Sequence, residues 1–486
     1  MKLIELVKHL HVDLHPIYSN INITGIVEDS SYVLPGNIFV AISGNDQDGH
    51  HFIQDSINKG ARLIIGEHDQ NNLSVPYIRV NDSREALGEL LYAFYQDLFK
   101  KKKIVGVTGT NGKTTTTYFI KHLLEKHGYK VGIIGTIGSE INGIFQASSN
   151  TTPSTSKLYN LFSQSNDDVI LMEVSSHGLV QKRMHKIPFD FALFTNLQKD
   201  HLDYHETMDN YFQAKSILFT KLRANGISIV QGDTPWGKKL LKNLAIENKK
   251  TIRVGRNLKS TFRVCLDNFS EREFTIKEND KFVPIASPLP GNHNIENLSM
   301  AIATVQQFGV PINAVNNYLK DFKGVPGRFE QYILPNNIRV VIDYAHTSES
   351  IDSCLRTVAR LTTSGNTFSI FGFTGKRDKK KRRFMLEKAL LWSKKVYLTT
   401  DELHGVSINE LKKETTNIVD SLFSNESIVI DMDRTIAFKK ALKNAQAGDC
   451  IVLMGMGHES YPTTFYYPVK SDNELVNYFN TKLTQV

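Results

Sequence analysis

The sequence predicts an α/β protein of three domains, the central one built on a mostly parallel sheet covered by helices. Three observations carry this. The chain has 486 residues, and at roughly 150 residues per domain that is about three domains. From residue 104 onward, short apolar runs alternate with helical stretches, the pattern of repeated strand–helix–strand units. Hydrophobic residues make up 41% and charged residues 22%, an ordinary globular balance that excludes wholesale disorder.

The elements follow in order. Residues 1–100 form the first domain, with β-rich runs at 37–42 (NIFVAI) and 62–65 (RLII) and a helix over 84–95. In that helix Leu87, Leu90, Leu91 and Phe94 recur at three- and four-residue spacing. The lysine run 100–103 marks a joint. The central domain, 101–326, opens with an apolar strand at 104–107 and an amphipathic helix at 119–126. Further strands fall at 131–134, 169–174 and 192–195. A turn-rich stretch at 323–327 (KGVPG) marks the second joint. The third domain, 327–486, repeats the apolar-strand pattern at 340–342, 367–371, 396–399 and 450–453.

Composition narrows the function classes. No apolar run reaches the ~18 residues of a membrane span, and residues 1–15 mix charges and histidines, unlike a secretory signal. Cys265, Cys354 and Cys450 lie far apart with no CxxC pair, which fits a reducing compartment and argues against a disulfide framework or zinc site. The expectation is a soluble, cytoplasmic monomer with no membrane partner. The formal charge of +8 is mild for this length and suits an anionic ligand or a solvated surface. The basic runs at 100–103 and 379–383 lack interleaved aromatics, so both read as linker or solvated helix face, with no nucleic-acid partner.

Residues 109–117 read GTNGKTTTT, between an apolar strand and a helix. Glycines let backbone approach phosphate oxygens, while successive N–H groups and the helix N-terminus supply partial positive charge. Lys113 places a full charge beside the terminal phosphates, and the Thr114 hydroxyl can bind Mg²⁺. The strict pattern GxxxxGK[ST] would put its first glycine at Val107, but its core, Gly109, Gly112, Lys113 and Thr114, is intact. The reading is an ATP site formed by Gly109, Thr110, Asn111, Gly112, Lys113, Thr114 and Thr115. Downstream, Glu173 ends an apolar strand, where open α/β sheets bind ligands. His201 follows in KDHLDYH. Oxygen ligands with an occasional imidazole suit a hard divalent ion beside phosphate, so these two are the candidate metal ligands.

These segments together resemble the Mur ligase family, ATP-dependent amide-forming enzymes of peptidoglycan precursor synthesis. The resemblance spans nearly the whole chain and is nearest to the branch that adds the third amino acid to UDP-N-acetylmuramoyl-L-alanyl-D-glutamate. The motifs that carry it are GTNGKTT, the segment 150–153 (NTTP), EVSSHGL, DHLDYH, YFQAK, GNHNIEN, Gly327-Arg328 and DYAHT. The resemblance implies a small α/β UDP-binding first domain, a P-loop-type ATPase centre and a Rossmann-like third domain. It implies Lys113 and Thr114 on ATP phosphate and Mg²⁺, with two ions expected, and Thr114, Glu173, His201 and a carbamylated Lys215 as metal ligands. Asn297, Arg328 and Asp343 would contact the nucleotide. Ser30, Asn45, Asp46 and Gln47 would contact the uridine diphosphate. Asn150, Thr151, Thr152, Ser175, Gln181 and Arg183 would hold the muramoyl-peptide.

For the incoming amino acid, Arg377 matches an arginine that grips its carboxylate, and Gly455 and Glu459 match contacts to its amine. The tetrapeptide that reads DNPR in the diaminopimelate enzymes is here Asp401-Glu402-Leu403-His404. With the arginine absent and two carboxylates present, the expectation is a basic amino acid, L-lysine or L-ornithine. The chemistry expected is acyl-phosphate formation followed by amine attack, with His205 or an acidic side chain taking the amine's proton. Rival readings are an amide ligase with another acceptor, including the folylpolyglutamate type or secondary metabolism, and a P-loop regulator that ligates nothing.

Overall fold

The computed structural model describes residues 1–486 except 11, 13–14, 45–46, 149, 267–269, 279–280, 377–378, 423–425 and 485–486. Two compact units interleave along the chain. Residues 1–108, 128–193 and 213–228 form one; residues 109–127, 194–212 and 229–486 form the other.

The first unit holds one complete four-stranded sheet and several strands of a second, eleven-stranded one. Strands Gly25–Val27, Asn37–Val40, Leu63–Gly66 and Tyr77–Arg79 pair parallel in chain order. Parallel strands are covered on both faces and so read as unbroken apolar runs; every residue of Leu63–Gly66 is buried. Helix Ser83–Phe94 follows, capped by Asp82, which accepts the Glu85 N–H, and it buries Leu87, Leu90 and Leu91. In the second sheet Lys103–Thr108, Val169–Glu173 and Val131–Ile134 pair parallel, with Phe189–Phe194 beside Lys103–Thr108. An antiparallel hairpin, Gly138–Ile141 and Ile144–Ala147, extends its edge. Glu173 is the last residue of its strand, in register with Val107.

The second unit contains helices Lys113–Lys126 and Asn292–Val305, and a six-stranded sheet in its C-terminal part. That sheet runs Glu330–Ile333, Arg339–Asp343, Cys450–Met454, Thr367–Phe373, Lys395–Thr400, Ile428–Ile430, parallel except for the first strand. Side chains alternate between its faces, as the period of a strand requires. Phe371 and Leu398 join one buried cluster with Leu355 and Leu386, while Ile370 and Tyr397 join another with Phe438 and Phe479. The strand from residue 450 returns between 339–343 and 367–373, so the connections diverge at the carboxyl ends of these strands. Asp343, Phe373, Thr400 and Met454 end there, where open α/β sheets open a crevice.

Two expectations are corrected. The helix expected at 119–126 begins at Lys113 and takes in four threonines. Threonine is a weak helix former, but here Thr114 to Thr117 are buried and Thr117 Oγ1 donates to the Thr114 carbonyl at 2.8 Å. The basic run at 379–383 is a solvated face only in part: Lys379 and Arg383 are exposed, whereas Lys381 and Arg382 turn inward. Arg382 is 2% exposed; it donates to the Thr374 and Gly375 carbonyls and pairs with Glu414. Lys381 donates to Asp200 at 3.2 Å. Buried charge persists only where paired in this way.

Candidate functional site

Gly112 has φ +85° and forms the N-cap of helix Lys113–Lys126. A Cβ there would collide with Asn297 Oδ1, so only glycine admits both the left-handed turn and the close approach of Asn297. The loop ahead is fixed by polar contacts. Thr110 N donates to Asn196 O at 3.0 Å, Asn111 N to Asn196 Oδ1 at 3.0 Å, and Asn111 Nδ2 to Gln198 Oε1 at 2.6 Å. Lys113 folds over the loop, its Nζ 2.9 Å from the carbonyls of both Gly109 and Thr110. A shallow cleft opens beside it, lined by Asn111, Gly112, Gln231, Glu296, Asn297 and Met300. Thr115 is buried. The positive end of the helix dipole and the Lys113 charge suit this loop to an anion.

The same unit brings the third-domain residues to that helix. Arg328 Nη2 donates to Thr114 Oγ1 at 3.3 Å, and its guanidinium lies 4.1 Å over the Tyr344 ring. Tyr344 donates to Glu459 Oε1 at 2.7 Å. Asp343 accepts the N–H groups of Phe329 and Ala345 at 2.8 and 2.9 Å. It thereby ties the residue after Arg328 to the turn that follows its own strand. Burial raises the carboxyl pKa of both Asp343 and Glu459.

Asp200 was missed by the sequence reading. It is buried and meets Lys381 at 3.2 Å, His201 at 3.4 Å and His346 at 3.7 Å. Burial works to raise its pKa, but the contact with His346 and the charges of His201 and Lys381 outweigh that and hold it well below the usual range. The signal lay in KDH, DYAHT and RDKKKRR, but three loops had to meet before it had meaning. His201 itself has φ +54° and caps the short helix Leu202–His205. His205 is buried with its ring stacked on Tyr211, centroids 4.9 Å apart.

In the first unit Glu173 is 1% exposed, and its carboxylate accepts from Thr136 N at 3.0 Å and Thr136 Oγ1 at 2.9 Å. Around it gather the acceptor candidates. Thr151 Oγ1 lies 3.1 Å from Thr136 Oγ1; Thr152 Oγ1 donates to the Glu173 carbonyl at 2.9 Å and receives Ser175 N at 3.0 Å. Arg183 Nη1 donates to Thr152 O at 2.6 Å, while its Nη2 donates to Gln181 Oε1 at 2.8 Å. The Asn150 carbonyl accepts Ser148 Oγ at 2.8 Å. Lys215 lies 2% exposed in helix Met208–Thr220.

Ser30 opens a short 3-10 turn capped by Asp29, and its carbonyl accepts Lys59 Nζ at 3.0 Å. The Gln47 carbonyl closes its loop by accepting Gly44 N at 3.0 Å; Asn45 and Asp46 lie outside the described residues. Nearby Asp48, His50 and His68 are close enough to hold a metal ion. Proton placement opposes that. Glu67 N donates to His50 Nε2 at 2.9 Å, which leaves the ring proton on Nδ1, 2.6 Å from Asp48 Oδ1. The contact is a hydrogen bond that pins the loop.

Of the amino-acid candidates, Arg377 lies outside the described residues. Asp401 is buried, 3.2 Å from the fully buried Arg434, which also binds Asp472 through two 2.7 Å bonds. Burial pushes the Asp401 carboxyl up to about 6 even though Arg434 opposes the rise. Glu402 is the more open carboxylate, its side chain 56% exposed and 2.8 Å from His404 Nε2. Gly455 borders Asp401, and a Cβ there would collide with Asp401 Oδ2.

Three family models match the chain: "Mur ligase family, catalytic domain" over residues 22–95, "Mur ligase middle domain" over 107–305, and "Mur ligase, glutamate ligase domain" over 327–457. Among curated proteins, the UDP-N-acetylmuramoyl-L-alanyl-D-glutamate–2,6-diaminopimelate ligase of Aquifex aeolicus is 35% identical over 93% of this chain and 92% of its own. That of Clostridium botulinum is 37% identical over 89% and 90%. A solved ligase of the same description is 25% identical with a TM-score of 0.69, covering 99% of both chains. MurF ligase from Thermotoga maritima in complex with ADP, 20% identical, shares the fold with a TM-score of 0.66 over 96% of this chain and 98% of its own.

Gly112→Ala should lower ATP-dependent turnover by about two orders of magnitude, because it displaces Asn297 and the helix N-terminus together; steady-state ADP release measures this. Asp401, with a folded pKa of about 6 against an ordinary 3.8, binds its proton more tightly when folded. Its contribution to stability is therefore lost as pH rises through that window. Urea midpoints should show Asp401→Asn gaining on the native chain between pH 4 and 6, by up to about 3 kcal/mol.

Proposed function

The chain belongs to the Mur ligase family of ATP-dependent ligases, and we propose that it extends UDP-N-acetylmuramoyl-L-alanyl-D-glutamate by a basic amino acid, L-lysine foremost. The observation that carries a ligase reading is the Arg328–Thr114 contact. It sets a residue of the C-terminal part on the phosphate loop, as a reaction between an activated acid and a separately bound amine requires.

In this reaction the D-glutamyl carboxylate attacks the γ-phosphate of ATP and ADP leaves. The neutral amine then attacks the acyl phosphate, loses its proton and expels phosphate. Lys113 and the helix N-terminus hold the phosphates in line. Gln181, Arg183, Thr151 and Thr152 hold the acceptor. Tyr344 and Glu459 border the amine. A buried carboxylate at Glu173, the Thr114 hydroxyl and the His201 imidazole are each of the donor type that a hard divalent cation takes. Mg²⁺, when bound, neutralises charge on the transferring phosphoryl group. The burial of Lys215 supports its carriage as a carbamate, since burial favours the neutral amine that captures CO₂.

Asp401 and Glu402, with no arginine at His404, support a cationic side chain. Since Arg434 occupies Asp401, Glu402 is the carboxylate left to meet it. A second reading, 2,6-diaminopimelate, has the names of the relatives in its favour; that amino acid also carries a distal amine. The three thiols are free, which fits a reducing compartment.

ADP release with the UDP-muramoyl-dipeptide should be fastest with L-lysine or L-ornithine, and a strict preference for diaminopimelate would overturn the assignment. Carbonate-free enzyme should lose turnover and regain it with bicarbonate, whereas Lys215→Arg should stay inactive in both; full activity of carbonate-free enzyme would exclude the carbamate.

A further inference from the structure

We propose that helix Ser83–Phe94 is the positioning platform for the acceptor-binding segment, clamped by Lys182, His185 and Lys186. This rests on reading Gln181 and Arg183 as contacts to the acceptor. Along residues 181–186 the side chains divide. Gln181 and Arg183 bind each other, and Arg183 reaches Thr152 O at 2.6 Å. The remaining polar residues point to the helix. Lys182 Nζ lies 2.6 Å from Asp82 Oδ2 and 2.8 Å from Glu85 Oε2. His185 Nε2 and Lys186 Nζ each lie 3.0 Å from Glu89 Oε1. Asp82, Glu85 and Glu89, three and four residues apart, share one face of the helix.

The backbone carries a matching constraint. Lys182 has φ +53° and Lys186 φ +59°, a left-handed conformation that is unfavourable for a side-chain-bearing residue and persists only where contacts enforce it. Both strained residues are ones that end on the helix carboxylates. Gly88 completes the fit: a Cβ there would lie 2.6 Å from His185 Cβ, so the helix has a notch where the segment seats. Met184 between them is fully buried, and Tyr159 Oη donates to the His185 carbonyl at 3.2 Å. The clamp therefore fixes the turn that sets the direction of Arg183. Lys182, His185 and Lys186 are positioning residues and touch no reacting atom.

Two variants attack the clamp from opposite sides, Lys182→Ala by charge and Gly88→Ala by volume. Each should raise the acceptor KM about tenfold while the ATP KM stays unchanged, and Lys182→Arg should restore most of the loss. Amide hydrogen exchange across residues 181–186 should quicken about tenfold in both alanine variants, with or without substrate. Unchanged exchange in both would overturn the clamp whatever the acceptor is. An ATP KM that rose in step with the acceptor KM would overturn it too, pointing to general loosening. Native enzyme that releases no ADP with the UDP-muramoyl-dipeptide would instead sink the assigned acceptor, and the exchange result would still decide the clamp.

Discussion

The left-handed turn at Gly112 is the constraint on which the candidate nucleotide site depends. It bends the chain sharply enough to start a helix immediately after the loop, so that the helix N-terminus and Lys113 serve one anion. By omitting a side chain it also lets Asn297 lie against the loop. Because the helix begins there, Thr114 falls in its first turn, where Arg328 reaches it. A single backbone conformation thus links three separate stretches of sequence.

Charge is handled by a common rule across the protein. Asp200, Arg382 and Arg434 are all nearly or fully buried, and each is surrounded by opposite charge or by carbonyls. Removing a charge from water costs several kcal/mol unless partners replace the lost hydration. Such groups therefore order the loops that supply those partners. Arg382 orders the loop at 374–375, and Arg434 orders the ends of the strands that reach Thr400 and Met454. Loops that bind ligands gain a defined shape this way without large hydrophobic cores of their own.

Much of the architecture was legible in local pattern. Most parallel strands read as short apolar runs because burial on both faces leaves no alternation. The three-residue strands Gly25–Val27, Tyr77–Arg79 and Ile428–Ile430 were too short to stand out, and Phe189–Phe194 begins three residues before the expected run. Helix Ser83–Phe94 was clear from its leucine spacing. The edge hairpin at 138–147 and the strands between 222 and 286 escaped notice: exposed edge strands such as Ile144–Ala147 carry no apolar run. The tight turn and helix start at 112–113 were readable because the residues that form them are contiguous.

What the sequence determined by itself was the chemistry available at each short segment: glycines beside a lysine, a carboxylate at a strand end, two carboxylates in place of an arginine partner. Such features depend on residue type and near-neighbour spacing, which the chain records directly. Tertiary structure decided which charges were already taken. Asp401 looked like a free carboxylate until Arg434, 33 residues away, closed on it. The basic run at 379–383 looked solvated until Asp200 and Glu414 met it. Pairing and burial belong to the packed molecule, because only packing brings distant residues within the few ångströms over which desolvated charges act.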